Sequence, residues 1–146
     1  MTTTTTTTTT LITYCGARVA APTEIPREFR LTREGDLPLA FCGWQIGEGV
    51  RGTGGTSGYD CDHTRGVRVR VYVTPSGRLV TSVYRWSRWQ GEEDRHDCAA
   101  HATPAAALAW LREDCGGELG VASLEAWEAA CEAWEPLAAE AAEQVE

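Results

Sequence analysis

Alternation of apolar and polar residues is clearest over residues 67–73, where every second position is a valine. That period is typical of a strand with one buried face, because successive side chains of a strand point to opposite sides. A second apolar run, Leu79–Trp86, follows the tripeptide Pro75-Ser76-Gly77, which is typical of a tight turn. The sequence therefore predicts a β-hairpin as its best-defined element.

The register of this hairpin decides which side chains share a face. With the tight loop at Ser76-Gly77, Val69 lies opposite Tyr84 and Val67 lies opposite Trp86. One face of the hairpin is then apolar. The other face carries three arginines: Arg68, Arg70 and Arg85. A shift of one residue would instead move Tyr84 and Trp86 to the arginine face.

Weaker strand patterns precede the hairpin. Leu11–Val19 predicts a first strand, Pro26–Arg33 predicts an extended segment, and Leu39–Ile46 predicts a further strand. Residues 47–60 are rich in glycine and favour a long loop. The glycines at 47, 49 and 52 have the spacing of a dinucleotide-binding loop, but no helix pattern follows them. We therefore interpret residues 47–60 as a flexible recognition loop.

Two helices are predicted at the C-terminal end. Thr103-Pro104 has the pattern of an N-cap followed by a first-turn proline, and it starts a helix over about residues 104–115. Ser123 is expected to cap a second helix, and Pro136 is expected to end or kink it. The apolar stripe of this second helix has spacings of three and four: Leu124, Trp127, Cys131 and Trp134.

Together these patterns predict an α+β fold, with an antiparallel β-sheet of four or five strands and two C-terminal α-helices packed on one face. A length of 146 residues suits a single domain. We assign residues 11–146 to this domain. Residues 1–10, which are Met1 and nine threonines, form a low-complexity tail.

The sequence predicts a cytoplasmic protein without membrane association. No segment approaches the roughly 18 consecutive apolar residues of a membrane helix. The N-terminal residues also lack the basic and apolar segments of a secretory signal. The six cysteines are therefore expected to be reduced thiols rather than a disulfide framework.

Charge is unevenly distributed along the chain. All 13 basic residues are arginines within residues 1–112, whereas residues 113–146 contain ten acidic residues and no basic one. The net charge of −8 therefore comes from the C-terminal region. An acidic region of this kind repels phosphates, so it disfavours a nucleic-acid partner and is compatible with a protein partner.

All three histidines lie close to cysteines, in two clusters on either side of the hairpin. The clusters hold five residues whose side chains bind zinc in other proteins: Cys61, His63, His96, Cys98 and His101. Because a hairpin returns the chain to its starting end, both clusters are expected at the same end of the sheet. The spacing matches no standard zinc finger, so three hypotheses stay open: structural zinc, a cysteine nucleophile with a histidine base, and ordinary flanking residues.

A second candidate site is rich in arginine and tryptophan. It combines hairpin residues with the segment that follows them: Arg68, Arg70, Arg85, Trp86, Arg88 and Trp89. Guanidinium and indole groups offer flat surfaces that bind protein partners and that also stack on bases. Residues 92–94, which are all acidic, follow directly and disfavour nucleic acid. We interpret the site as a protein-binding surface.

These features favour a small non-catalytic module for protein interaction or regulation. Small size and acidity are typical of accessory proteins, including acidic inhibitors carried by phages or mobile elements. Two alternatives are a zinc-stabilised binding domain and a Cys/His-dependent enzyme. No cofactor other than zinc is expected, and the motifs match no family closely enough to name one.

Overall fold

A computed structural model of the protein describes residues 10–23, 25–33, 35–53, 65–87, 91, 93–114 and 119–140. The described residues form seven strands and three helices. The strands are β1 (Leu11–Tyr14), β2 (Ala17–Ala20), β3 (Arg27–Leu31), β4 (Leu39–Thr53), β5 (Arg65–Val73), β6 (Leu79–Ser87) and β7 (Arg95–His101). The helices are α1 (Pro104–Asp114), α2 (Val121–Ala133) and α3 (Glu135–Glu140). The threonines at 2–9 lie outside the described residues.

The strands form two antiparallel sheets, a small one of β1 and β2 and a five-stranded one in the order β3-β4-β5-β6-β7. Helix α1 contacts β6 and β7, and α2 contacts β4 and β5. Both helices share one core with Val69, Val71 and Leu79 of the sheet. We call this side of the sheet the helix face. The α+β class with an antiparallel sheet is confirmed, and a third short helix follows the two that the sequence predicts.

The prediction of one strand over Leu11–Val19 is wrong, because the chain reverses in the middle of that run. Strands β1 and β2 pair antiparallel, with Leu11 opposite Ala20. Cys15 and Gly16 form the turn, with φ angles of 50° and 82°. A two-residue turn of this type needs left-handed backbone at both positions, which glycine adopts without cost. Gly16, which lies inside the apparent strand, was therefore the sequence signal for a turn.

The predicted register of the β5–β6 hairpin is wrong by one residue. Val69 lies opposite Val83, and Tyr84 lies opposite Arg68. The loop has three residues instead of two, since the Thr74 amide donates to the carbonyl oxygen of Arg78 at 2.9 Å. Gly77 closes the loop with a φ of 81°, as a three-residue hairpin loop requires at that position. The correction moves Tyr84 and Trp86 to the face that carries Arg68.

Residues 47–53 continue strand β4 and do not begin a loop. Gly47 and Gly49 point to the helix face, where a β-carbon at either position would overlap a carbonyl oxygen of α2. These glycines therefore allow helix and sheet backbones to approach closely, and they do not supply loop flexibility. The remainder of the predicted loop, residues 54–60, lies outside the described residues.

Helix α2 presents small side chains to the glycines of β4. The residues that it buries are Ala122, Ser123, Ala126, Trp127 and Ala130. Of the predicted stripe, Trp127 and Trp134 are buried in the core and Cys131 packs against it, whereas Leu124 is 45% exposed. The predicted cap is also wrong, because Gly120 is the N-cap and Ser123 lies buried within the helix. Alanine fits this side because the backbone of β4 leaves no room for leucine.

The predicted start of α1 is confirmed. The backbone amide of Ala106 donates to the Thr103 hydroxyl oxygen at 3.1 Å, which satisfies one of the amides left open at a helix N-terminus. Pro104 is the first helical residue, and Leu111 is fully buried in the core. Helix α1 contacts β6 and β7, and it directly follows β7, the strand that carries His96 and His101.

Candidate functional site

The side of the five-stranded sheet opposite the helices is polar and aromatic at its centre. We call it the front face. Register places four of its side chains in neighbouring positions on three strands: Arg68, Arg70, Tyr84 and His96. At one end of the face, Phe29 and Phe41 contact the ring of Tyr72 with centroid distances of 4.8 and 5.3 Å. Strand β3 therefore curls over the front face and forms one wall of a groove.

The opposite wall of the groove is β7. The Sγ atom of Cys98 lies 4.0 Å from the carbonyl oxygen of Leu31 and 3.9 Å from that of Thr32. Beyond this contact the two edge strands diverge and leave a cavity of about 230 Å³. Its lining comes from the end of β3 and from three further strands, β5, β6 and β7: Arg30, Leu31, Thr32, Arg68, Arg70, Ser82, Val83, Tyr84, His96 and Asp97.

Glu48 of β4 lies between the two arginines on the floor of the front face. The Nε group of Arg70 donates to Glu48 Oε2 at 2.9 Å, and Arg68 Nε lies 3.7 Å from Oε1. The side-chain amide of Gln45 donates to Oε2 at 3.3 Å. One carboxylate is thus held by two guanidinium groups and an amide, in a region where all three charged side chains stay partly exposed.

Aromatic rings flank the arginines toward the open end of the groove. Tyr84 and His96 stack with a centroid distance of 4.5 Å and an interplanar angle of 16°. The Tyr84 hydroxyl donates to Asp94 at 2.8 Å. This hydrogen bond raises the pKa of Tyr84 and lowers that of Asp94, because it favours the protonated phenol and the ionised carboxylate. Trp86 continues the row and lies directly over Gly66, whose missing side chain makes room for the indole.

The predicted arginine and tryptophan surface is divided by the structure. Arg68 and Arg70 line the cavity, and Trp86 lies on the same face. Arg85 does not share that face, because it pairs with Val67 and therefore points to the helix side. The predicted position of Arg85 was wrong because the predicted register was wrong by one residue. Arg88 and Trp89 lie outside the described residues.

The predicted Cys/His constellation is only partly within the described residues. Cys61 and His63 lie outside them. The other three residues form part of strand β7, with His96 and Cys98 on the front face and His101 on the helix face. His101 lies opposite Leu79, next to the hairpin turn, so it is far from the end of the sheet where His96 lies. The expectation of one cluster at one end is therefore wrong for His101.

Among the described residues, no group of three or more metal-binding side chains comes together. The zinc hypothesis includes Cys61 and His63, so it stays a prediction. The alternative nucleophile, Cys98, points at the carbonyl oxygens of β3. Burial raises its pKa to about 11, which keeps the thiol protonated at neutral pH. A cysteine nucleophile needs the opposite shift, so the surroundings of Cys98 do not favour that role. The alternative pair, Cys61 with His63, lies outside the described residues and stays a prediction.

The side chain of His101 is buried on the helix face. Its Nε2 atom hydrogen-bonds with the hydroxyl of Thr81 at 2.8 Å, and its ring lies 5.7 Å from that of Trp110 on α1. Burial lowers the pKa of His101, because desolvation disfavours the charged imidazolium. The neutral ring therefore joins β6, β7 and α1.

This environment predicts that acid destabilises the fold. As the pH falls through 6.5, the ordinary value for histidine, the unfolded chain takes up a proton at residue 101 while the folded chain does not. The free energy of unfolding should decrease from there until the pH passes the lowered folded-state pKa. Thermal denaturation at pH 8 and pH 5 tests this expectation. The variant His101→Gln should show a smaller decrease, and an equal decrease would contradict the assignment.

Sequence reasoning missed Glu48, Ser82 and Tyr84 as members of the site. Glu48 was assigned to a loop, and Tyr84 was assigned to the buried face. A three-residue loop at Pro75-Ser76-Gly77 was the available signal for Tyr84, since it shifts the pairing by one position. With Arg68 fixed on the front face, the same shift also brings Ser82 next to the arginines.

Comparison with known proteins gives no relative. No protein-family model matches the chain, and neither a curated protein nor a solved structure matches it. None of the described helices has the length and apolar character that a membrane crossing requires.

Proposed function

We propose that this protein is a small non-catalytic binding module that takes a segment of a partner protein on the front face of its sheet. The observation that supports this proposal is the cavity of about 230 Å³ on the face that the helices leave uncovered. Its lining combines guanidinium and aromatic groups, which are enriched where proteins bind one another. A regulatory role for the module is part of the proposal.

The size of the cavity favours a side chain over a whole small-molecule cofactor. Pockets that hold drug-sized ligands occupy roughly 300–1,000 Å³, and this cavity is smaller. It is also open, because β3 and β7 form walls without a roof. A single side chain from an extended segment would fill it, while neighbouring residues of the partner would lie along Trp86 and Tyr84.

The proposal predicts that Arg70→Ala weakens peptide binding at least about tenfold, since charged hydrogen-bonding groups at the centre of an interface are worth a factor of this size or more. Peptides selected on the immobilised protein from a displayed random library, before and after treatment of that library with protein kinases, supply the probes. Their dissociation constants are then measured by fluorescence anisotropy for the wild type and the variant.

Arg78→Ala is the matched control, because Arg78 is exposed and directly follows the loop at the far end of the same hairpin. It should bind the selected peptides as the wild type does. The fold should survive both substitutions, since a partly exposed ion pair contributes only about 0–1 kcal/mol to stability. Selected peptides that bind the Arg70→Ala variant and the wild type equally would place the interface elsewhere and overturn the proposal.

A further inference from the structure

Any anionic group that enters the cavity meets a competitor already in place. Glu48 accepts hydrogen bonds from Arg70 and Gln45 and lies 3.7 Å from Arg68. It belongs to the same chain, so it holds the arginines without losing translational freedom. A ligand group must therefore bind the arginines more strongly than a carboxylate does.

A second carboxylate does not meet this condition. An aspartate or glutamate of a partner carries the same charge as Glu48 and the same number of acceptor oxygens. If such a group displaced the Glu48 carboxylate from the arginines, binding would also cost the entropy of association. A phosphorylated side chain is different, because it carries about two negative charges at neutral pH and one more acceptor oxygen than a carboxylate.

The surroundings of the arginines suit a phosphate. Each guanidinium has N–H donors besides the Nε group that faces Glu48, and guanidinium groups bind phosphates through pairs of such donors. Ser82 lies beside Arg70 in the sheet and supplies a hydroxyl to the cavity lining. The Tyr84 and His96 rings form an aromatic wall against which the stem of the side chain can pack.

We infer that the cavity binds a phosphorylated side chain of the partner protein and that Glu48 is an internal competitor which rejects unphosphorylated acidic side chains. The inference rests on the proposed function, since it names the chemistry of the segment that the front face takes. Glu48 thus sets the selectivity of the site between phosphate and carboxylate.

Degenerate peptide pools with a fixed central residue provide the test. The centre is phosphotyrosine, phosphoserine, glutamate, tyrosine or serine, and fluorescence anisotropy measures the dissociation constant of each pool. At least one phosphorylated pool should bind about tenfold more tightly than the glutamate pool. In Glu48→Gln this preference should fall to about threefold or less, because the arginines no longer face Glu48 and can donate to the carboxylate of the glutamate peptides.

Glu125→Gln is the matched control, since Glu125 pairs with Arg51 at 2.9 Å on the helix side and gives the same change in net charge. It should keep the wild-type preference. Should Glu48→Gln fail to fold, Glu48→Asp retracts the carboxylate by one methylene and should reduce the preference in the same direction.

Three outcomes would overturn the inference. Equal binding of the phosphorylated and glutamate pools by the wild type would remove the phosphate preference and leave the binding module intact. An unchanged preference in Glu48→Gln would remove the internal competitor. Displacement of the phosphopeptide by a single-stranded oligonucleotide at the same concentration would show that the site reads any phosphate. If no pool binds and no displayed peptide is selected, the proposed function fails as well.

Discussion

Replacing Gly49 with alanine is expected to lower the free energy of unfolding by about 3 kcal/mol or more. The added β-carbon would overlap the carbonyl oxygen of Ala122. A backbone atom cannot rotate away as a flexible side chain can, so α2 would have to move off the sheet. Urea denaturation followed by circular dichroism measures the loss, and Gly47→Ala should act in the same direction, since its β-carbon would overlap the carbonyl oxygen of Ala126.

Gly35→Ala is the control for this experiment. Gly35 has a φ of 70°, and a β-carbon there would meet nothing within 4 Å. The control therefore has the backbone strain of a left-handed alanine without any overlap, which costs about 1 kcal/mol. A loss for Gly49→Ala as small as that of the control would show that α2 is not in close contact with β4.

Trp134→Ala is expected to cost about 3–5 kcal/mol, the range for removing a buried large aromatic side chain. Trp134 is 3% exposed and lies edge-on to the ring of Tyr14 with a centroid distance of 4.7 Å. Its indole N–H donates to the carbonyl oxygen of Ala20 at 2.8 Å. The side chain thus attaches both strands of the N-terminal hairpin to the junction of α2 and α3, and the substitution should release that hairpin.

Hydrogen exchange distinguishes this release from a general loss of stability. Amides of β1 and β2 should lose protection in Trp134→Ala before those of β5 and β6 do. Trp134→Phe keeps an aromatic ring against Tyr14 and loses the hydrogen bond, so it should cost about 1–2 kcal/mol. A uniform loss of protection over both sheets would contradict the attachment of the hairpin through Trp134.

The sequence pattern identified most strands and the start of α1, because alternation and capping act over a few neighbouring residues. Strand β5 and the Thr103 cap are examples. The sequence pattern failed at Gly16 and at the β5–β6 loop. A strand, a two-residue turn and a three-residue turn differ in their backbone angles, and similar short sequences can adopt any of the three. One wrong loop length then misplaced Arg85 and Tyr84 together, since a shift of one residue exchanges the faces of a strand.

The candidate site was less accessible to sequence reasoning than the fold. Its arginines were found from their alternation with valines. Glu48 was not found, because its partners Arg68 and Arg70 are about twenty residues away in the chain and only the pairing of β4 with β5 brings them together. Glycines on either side of Glu48 favour a loop in sequence terms, and only the approach of α2 explains why they lie in a strand.

The tripeptide Gly47-Glu48-Gly49 faces a different constraint on each side of the sheet. Gly47 and Gly49 are confined to their residue type by the helix behind the sheet, while the residue between them faces the ligand side. The carboxylate proposed to compete with the ligand therefore sits on a sterically restricted part of the backbone, where the strand cannot shift to relieve a poor fit. Selectivity can change at this position only through the side chain of residue 48 itself, because substitutions at residues 47 and 49 would destabilise the fold.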